Sequence, residues 1–366
     1  MAATDGTMPL PATTDAEEGG FATALLDWYD RHGRKDLPWQ HPRSAYRVWI
    51  SEVMLQQTQV RTVIPYFLRF VDELPDLTTL AGADEDRVLA LWSGLGYYSR
   101  ARNLHRAARL CMERHGGDLP RSRDELADLP GIGRSTAAAI LAQAFGEPHA
   151  ILDGNVRRVL ARWHGVQGWP GAAGPQRELW RHAESHTPTR RVADYTQAIM
   201  DLGAAVCTRS SPACTDCPIA WGCRAFLEER TGELPAPRPQ RTQPVRATTM
   251  LVARDTAGRI LLERRPPAGV WARLWSLPEA DSTTPAGELL RRHGIEASGE
   301  ARELPGFIHV FSHYRLQVTP LLVDRVRLGR NIADPAEARW LATPQWRTAA
   351  LPAPVRRLLE SLEHTP

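Results

Sequence analysis

The chain has 366 residues and a mass of 40.8 kDa, long enough for two hydrophobic cores at roughly 100–200 residues per domain. Hydrophobic residues make up 43% and charged residues 24%, proportions that exclude a collagenous or wholly disordered chain. A net charge of +3 permits nucleic acid as a partner without requiring it.

No apolar run approaches the roughly 20 residues that cross a bilayer, so no membrane association is expected. Met1–Gly20 has neither the basic start nor the apolar centre of a secretory signal. A cytoplasmic location is the expectation. Lys35 is the only lysine among 45 Lys and Arg, so chemistry that needs a lysine amine has almost nowhere to find one.

In chain order, residues 1–20 read as disordered. From Phe21 to about Arg230 helical periodicity predicts helices over Phe21–Arg31, Ala45–Gln57, Gln59–Glu73, Glu85–Leu91, Arg100–His115, Arg123–Asp128, Ser135–Phe145, Asn155–His164, Gln176–Ser185 and Val192–Val206. Gly, Pro and Asp breakers fall between them. This is an all-α domain over 21–230. Residues 231–245 hold four prolines without apolar periodicity, which reads as an extended linker. Residues 246–366 change pattern. Thr248–Ala253 and Arg259–Glu263 are strand-like and joined by the hairpin signal Asp255–Gly258; two more strands are expected in Phe307–Val323 and one at Arg339–Leu341. Pro285–Arg292 and Pro354–Leu362 read as helices, giving an α+β second domain.

Four of the five cysteines form Cys207-x6-Cys214-x2-Cys217-x5-Cys223. Without a secretory signal, such a cluster points to a metal site before a disulfide framework. Four thiolates suit either a tetrahedral zinc or an iron–sulfur cluster, although zinc sites ordinarily set two close pairs apart and only Cys214/Cys217 is close here. Leu129-Pro-Gly-Ile-Gly-Arg-Ser135 joins two helices, the first opened by the capping pattern Ser122-x-x-Glu125. Gly131 and Gly133 allow a tight turn, and the free N–H groups of the next helix suit a phosphate; the plain alternative is a helix–turn–helix connection with no ligand. Two acids stand in suggestive places. Glu52 lies in the largely apolar Trp49-Ile-Ser-Glu-Val-Met-Leu-Gln-Gln57, and Asp153 precedes a helix in Leu152-Asp-Gly-Asn155. Each also has a plain reading: a surface-facing acid and a helix cap.

Together with Gly94-Leu-Gly-Tyr-Tyr-Ser-Arg100, these segments resemble the endonuclease III superfamily of helix–hairpin–helix DNA glycosylases, and within it the MutY-type adenine DNA glycosylases. The resemblance covers residues 21 to about 362. It implies that Glu52 protonates the leaving adenine, that Asp153 stabilises the sugar cation, and that Asn155 assists by hydrogen bonding. The cysteines become ligands of a 4Fe-4S cluster. Gln57 and Tyr97 match residues that wedge into the duplex when a base is flipped, although Tyr97 also suits an ordinary core. Trp39 and Gln197 match positions around the adenine pocket. Relatives with a strand-cleaving lyase step carry lysine where this chain has Ser135, so a monofunctional enzyme is implied. The basic run Arg100, Arg102, Arg106, Arg109 suits either phosphate contact or a solvated face.

Arg259-Ile-Leu-Leu-Glu-Arg-Arg-Pro266 and Gly269-Val-Trp-Ala-Arg-Leu-Trp-Ser-Leu-Pro278 resemble the Nudix-like domain with which such enzymes inspect the opposite base. In place of an acidic metal-binding box stands Gly287-Glu-Leu-Leu-Arg-Arg-His-Gly294, whose Arg291 and Arg292 would repel Mg²⁺. Phe311, Ser312 and His313 match a loop that reads 8-oxoguanine; the alternating pattern of His309–Tyr314 equally describes a plain strand. The implied substrate is double-stranded DNA with adenine opposite 8-oxoguanine or guanine, acted on by a monomer associated with the nucleoid. The competing expectations are an oxidised-pyrimidine glycosylase with lyase activity, an iron–sulfur DNA-binding redox sensor, and a nucleotide pyrophosphohydrolase.

Overall fold

The computed structural model describes residues 15–239, 242–297, 300–328 and 338–363. In chain order the helices are α1 (Asp15–His32), α2 (Ala45–Leu55), α3 (Val60–Glu73), α4 (Leu77–Gly82), α5 (Glu85–Leu91), α6 (Ser99–Arg114), α7 (Arg123–Asp128), α8 (Arg134–Ile140), α9 (Gly154–His164), α10 (Ala173–His186), α11 (Val192–Ala205), α12 (Arg224–Leu227), α13 (Ala286–Arg292), α14 (Thr343–Thr348) and α15 (Ala353–Glu363). The strands are β1 (Val245–Asp255), β2 (Ile260–Arg264), β3 (Trp275–Ser276), β4 (Glu279–Asp281), β5 (Ile295–Glu296), β6 (Arg302–Glu303), β7 (Phe307–Val310), β8 (Arg315–Leu328) and β9 (Ala338–Leu341).

Local chemistry sets the helix starts. Ser44, Asp76, Ser122 and Asp153 each accept a hydrogen bond from the backbone N–H three residues on, the arrangement that satisfies an orphan donor of the first turn. Three expectations are corrected. Helix α1 begins at Asp15, ahead of the expected start at Phe21; the weak helix formers Gly19 and Gly20 concealed the continuation. The expectation of disorder over residues 1–14 lies outside the described residues. Helix α2 stops at Leu55, and Gln57, expected inside it, takes a left-handed φ of 60°. The helix expected over Ser135–Phe145 is α-helical only to Ile140; Leu141–Phe145 is a π-helical turn, closed by Gly146 at φ 72°.

The chain groups into two compact units: residues 1–56 with 114–239, and residues 57–113 with 240–366. In the first, Phe21, Leu25 and Tyr29 of α1 pack with Val156, Val159 and Leu160 of α9, Leu179 of α10, and Ala198, Ile199 and Leu202 of α11. Cys207, Cys217 and Cys223 rest on the edge of that core. The Leu129–Gly133 turn leads from α7 into α8, which packs on α2.

In the second unit a mixed sheet runs in the order β3-β2-β1-β8-β5, with β4, β6, β7 and β9 attached to it. Strands β1 and β8 are parallel over eleven paired positions, and β1 turns antiparallel into β2 at the expected Asp255–Gly258 hairpin. Because helices cover both faces, β1 reads as a continuous apolar run. Met250 and Val252 face Trp346, Val355 and Leu359, whereas Leu251 and Ala253 face Leu289 and Leu290 of α13. The helical segment 57–113 joins this unit through Tyr98, whose hydroxyl donates to Leu351 O at 2.9 Å, and through the Arg264–Asp86 ion pair.

Candidate active site

Helix α2 is apolar on nearly every side: Val48, Trp49, Ile50, Ser51, Val53 and Met54 are buried around Glu52. The carboxyl of Glu52 therefore sits in a poorly hydrated place. Burial pushes its pKa up to about 7, the Asp153 carboxylate adds to the rise, and a hydrogen bond from Gln143 opposes it. Gln143 Nε2 donates to Glu52 Oε1 at 2.9 Å. Gln143 belongs to the π turn that packs against α2. Sequence reasoning missed it; its only signal was a lone amide in the apolar run Ala137–Phe145.

Asp153 is the N-cap of α9 and accepts from Val156 N at 2.7 Å. Burial raises its pKa, while the backbone N–H groups of Val156 and Asn155 and the nearby Arg158 and Arg157 hold the rise back. The plain reading of Asp153 as a cap and the functional one thus describe the same geometry: the helix end that Asp153 closes also stabilises its charge. Ser135 Oγ accepts from Leu152 N at 2.9 Å, fixing the residue beside Asp153 to α8. Asn155 Oδ1 accepts from Arg158 Nη2 at 2.8 Å. Gly203 of α11 lies so close that a Cβ there would stand 2.6 Å from Asn155 Cβ, so the start of α9 packs directly on α11. Trp39 and Gln197 are both buried, and Gln197 Nε2 donates to Asp201 Oδ1 at 2.7 Å, where Arg34 also binds.

Glu52, Gln143, Asp153, Ser135 and Asn155 are thus gathered in the first unit. In the hairpin, Gly131 has φ 82°, a conformation that favours glycine, whereas Gly133 has an ordinary φ of −99° and open space where a Cβ would go. Gln57 and Tyr97 lie in the second unit. Both are non-glycine residues in the left-handed region, with φ of 60° and 49°, and the Tyr97 ring is 51% exposed, which removes its plain reading as core.

Three of the arginines in the basic run of α6 hydrogen-bond backbone carbonyls of their own unit, and Arg100 is buried in doing so. Arg100 donates to Gly96 O at 3.2 Å and Thr58 Oγ1 at 3.3 Å and lies over the rings of Trp92 and Tyr97. Arg102 donates to Ala272 O, and Arg109 to Ala81 O. Arg106 and Arg109 are both exposed and fit the expectation of solvent-facing side chains.

The four cysteines line a loop between α11 and α12. Their thiols interact: burial pushes Cys217 up to about 12, with Cys207, Cys223 and Cys214 adding to the rise. Arg162 of α9, buried, organises this loop from below. It donates to Cys207 Sγ at 3.3 Å, Thr208 O at 2.7 Å, Arg209 O at 3.1 Å and Leu234 O at 2.8 Å. Among the described residues no three His, Cys, Asp or Glu side chains close on a single-ion site. In the second unit Phe311 packs against Trp271, His309 and Tyr314, while Ser312 and His313 are exposed at the loop tip. In the degenerate acidic stretch Glu288 is paired with Arg292.

This assembly matches known proteins in both parts. Residues 50–185 match the family model of the HhH-GPD superfamily base excision DNA repair proteins, and residues 249–361 match that of the NUDIX domain. The adenine DNA glycosylase of Buchnera aphidicola subsp. Acyrthosiphon pisum is 34% identical over 94% of this chain and 97% of its own length. The human adenine DNA glycosylase is 35% identical over 94% of this chain and 74% of its own. Among solved structures, a thermostable thymine-DNA glycosylase superposes with a TM-score of 0.54 at 27% identity, covering 59% of this chain and all of its own. The fold and site define a helix–hairpin–helix enzyme of base excision repair that carries a C-terminal Nudix-like domain. Within that class, the chain belongs to the adenine DNA glycosylase family.

Proposed function

We propose that the protein is a monofunctional glycosylase that hydrolyses the N-glycosidic bond of adenine opposite 8-oxoguanine or guanine in double-stranded DNA. The observation that carries this reading is Glu52, a carboxyl whose pKa stands at about 7 beside a second carboxyl, Asp153. Two acids in different surroundings take different roles. Glu52, in its protonated form, gives its proton to N7 of adenine. The base then leaves with the electron pair of the C1′–N9 bond. Asp153, held ionised by the α9 N-terminus, stabilises the sugar cation. Water adds to C1′ and its proton returns to a carboxylate. Asn155 and Ser135 hold the start of α9 in place, and Trp39 and Gln197 line the adenine pocket.

The absence of a lyase step rests on the position that Ser135 occupies and on Lys35. Lys35 is the only lysine, and its ammonium donates to Asp30 O at 2.6 Å and lies over the Tyr29 ring. Gln57 and Tyr97 enter the duplex in place of the extruded base. Their left-handed backbones are the kind of strain that accompanies such a task, with Arg100 bolting the two loops together. Gly131 and Gly133 let a phosphate approach the N-terminus of α8, and Ser312 and His313, backed by Phe311, read the base opposite adenine. The domain limits 21–230, 231–245 and 246–366 stay part of this reading.

The donor set of Cys207, Cys214, Cys217 and Cys223 fits a 4Fe-4S cluster. Four soft sulfur ligands on one loop, near enough to disfavour one another's ionisation, suit a cationic iron–sulfur core between them. When bound, such a cluster would supply cross-linking of the loop and local positive charge. Substituting Cys214→Ser is expected to lower iron and acid-labile sulfide from four of each per chain; full retention of both would refute the assignment.

The reading as a whole is tested by Glu52→Gln. Adenine release from a duplex with adenine opposite 8-oxoguanine should fall by at least about a thousandfold while duplex affinity holds within a few-fold. Undiminished release would remove Glu52 from the mechanism.

A further inference from the structure

The reader loop and the wedge loop are fastened to the same core of the second unit, through contacts that the chemistry of adenine removal does not use. Tyr97 is exposed at the end of Gly94–Tyr98, immediately before α6. Its neighbour Tyr98 is buried and donates to Leu351 O at 2.9 Å; Leu351 belongs to the sheet core together with Trp346 and Val355. Ser93, at the other end of the same loop, accepts from Arg356 Nη2 at 3.0 Å. One turn into α6, Arg102 donates to Ala272 O. Ala272 is buried between two residues held in left-handed conformations, Trp271 at φ 58° and Arg273 at φ 65°.

Neither of these is a glycine, so surrounding contacts must over-determine the loop that holds them. Arg102 on one side is such a contact. On the other, the Trp271 ring meets Phe311 edge-on with centroids 5.2 Å apart and His309 at 5.4 Å. Phe311 N–H donates to Tyr314 O at 2.9 Å, which closes the tight loop whose tip is Ser312–His313. A continuous path of contacts therefore runs from α6 through Arg102, Ala272 and Trp271 to Phe311.

We propose that Arg102 and Trp271 are positioning residues for discrimination of the base opposite adenine: they fix the Phe311–His313 tip relative to the Tyr97 wedge. Neither residue touches the DNA in this account. They act by holding a strained loop in one conformation, so that a base with the correct edge meets Ser312 and His313 at the moment Tyr97 enters the stack. The inference rests on the reading of Ser312 and His313 as the sensor of the opposite base.

The test is single-turnover adenine excision by the full-length protein on two duplexes, adenine opposite 8-oxoguanine and adenine opposite guanine. Arg102→Met keeps the aliphatic stem and removes the guanidinium. It should slow excision opposite 8-oxoguanine roughly tenfold and leave excision opposite guanine within about twofold, a pattern that general loosening does not produce. Arg102→Lys, which keeps one donor, should restore part of the preference. Trp271→Leu removes the ring contact from the other side and should show the same selective loss, which keeps the test open if Arg102→Met folds poorly. In a His313→Ala background the Arg102→Met effect should vanish, because residues on one path are non-additive. Equal losses on both duplexes, or an unchanged preference in a folded variant, would overturn the proposal. A wild-type enzyme with no preference between the duplexes would instead refute the reading of the 311–313 loop itself.

Discussion

At the scale of single residues, the site works through opposed influences on one carboxyl. Burial and Asp153 raise the pKa of Glu52 to about 7, so that a large share of it is protonated near neutral pH, and the hydrogen bond from Gln143 opposes the rise. In the proposed mechanism the acid form is the active one, so the excision rate should fall as pH rises through about 7. Gln143→Leu removes the interaction that stabilises the carboxylate, so the alkaline limb of the pH–rate profile should move to higher pH. A limb that stays in place, or moves down, would show that Gln143 does not act on Glu52. The settings of Glu52 and Asp153 alone suited a surface acid and a helix cap equally well, and the family resemblance singled them out. Gln143 was singled out by neither. Its approach to Glu52 depends on the π turn at Leu141–Phe145, a departure of one hydrogen-bonding step that apolar periodicity does not record.

At the scale of elements, the start of α9 is where packing and chemistry meet. Asp153 caps it, Ser135 holds the preceding residue, and Gly203 lets α11 come close enough to support it from behind. Gly203→Ala would place a Cβ 2.6 Å from Asn155 Cβ and 3.1 Å from Asn155 Cα, contacts that only a shift of backbone relieves. It should cost about 1–3 kcal/mol of stability in chemical unfolding and slow excision on the order of a hundredfold. Gly154→Ala, whose Cβ would meet nothing within 4 Å, is the control and should unfold like the wild type. A neutral Gly203→Ala would mean that α9 and α11 are free to separate without consequence. Most helices and the β1–β2 hairpin were legible from periodicity, caps and breakers. The short strands β3 to β6 were not, because two or three residues carry no period. The basic run of α6 was legible as charge but not in its contacts: Arg100 and Arg102 reach carbonyls of their own unit, while Arg106 and Arg109 are exposed.

At the scale of the whole molecule, composition and motif order foreshadowed an all-α repair domain followed by an α+β domain, and both family matches agree. What linear order could not convey is that residues 57–113 group with the C-terminal sheet. That grouping depends on single side chains, Tyr98 to Leu351 and Arg264 to Asp86, reaching between segments far apart in sequence. It places the wedge candidates and the reader candidates in one unit, and Glu52 and Asp153 in the other.

The central claim is a hydrolytic glycosylase without strand cleavage, and one assay addresses it directly. A duplex bearing a single adenine opposite 8-oxoguanine is incubated with excess enzyme, and each time point is split for analysis with and without hot alkali. Breakage at the adenine only after alkali is the predicted result, since hydrolysis leaves an intact strand with an abasic site. Breakage without alkali would contradict the account, because Ser135 stands where relatives with a lyase step carry their lysine, and no breakage under either condition would contradict the glycosylase reading altogether.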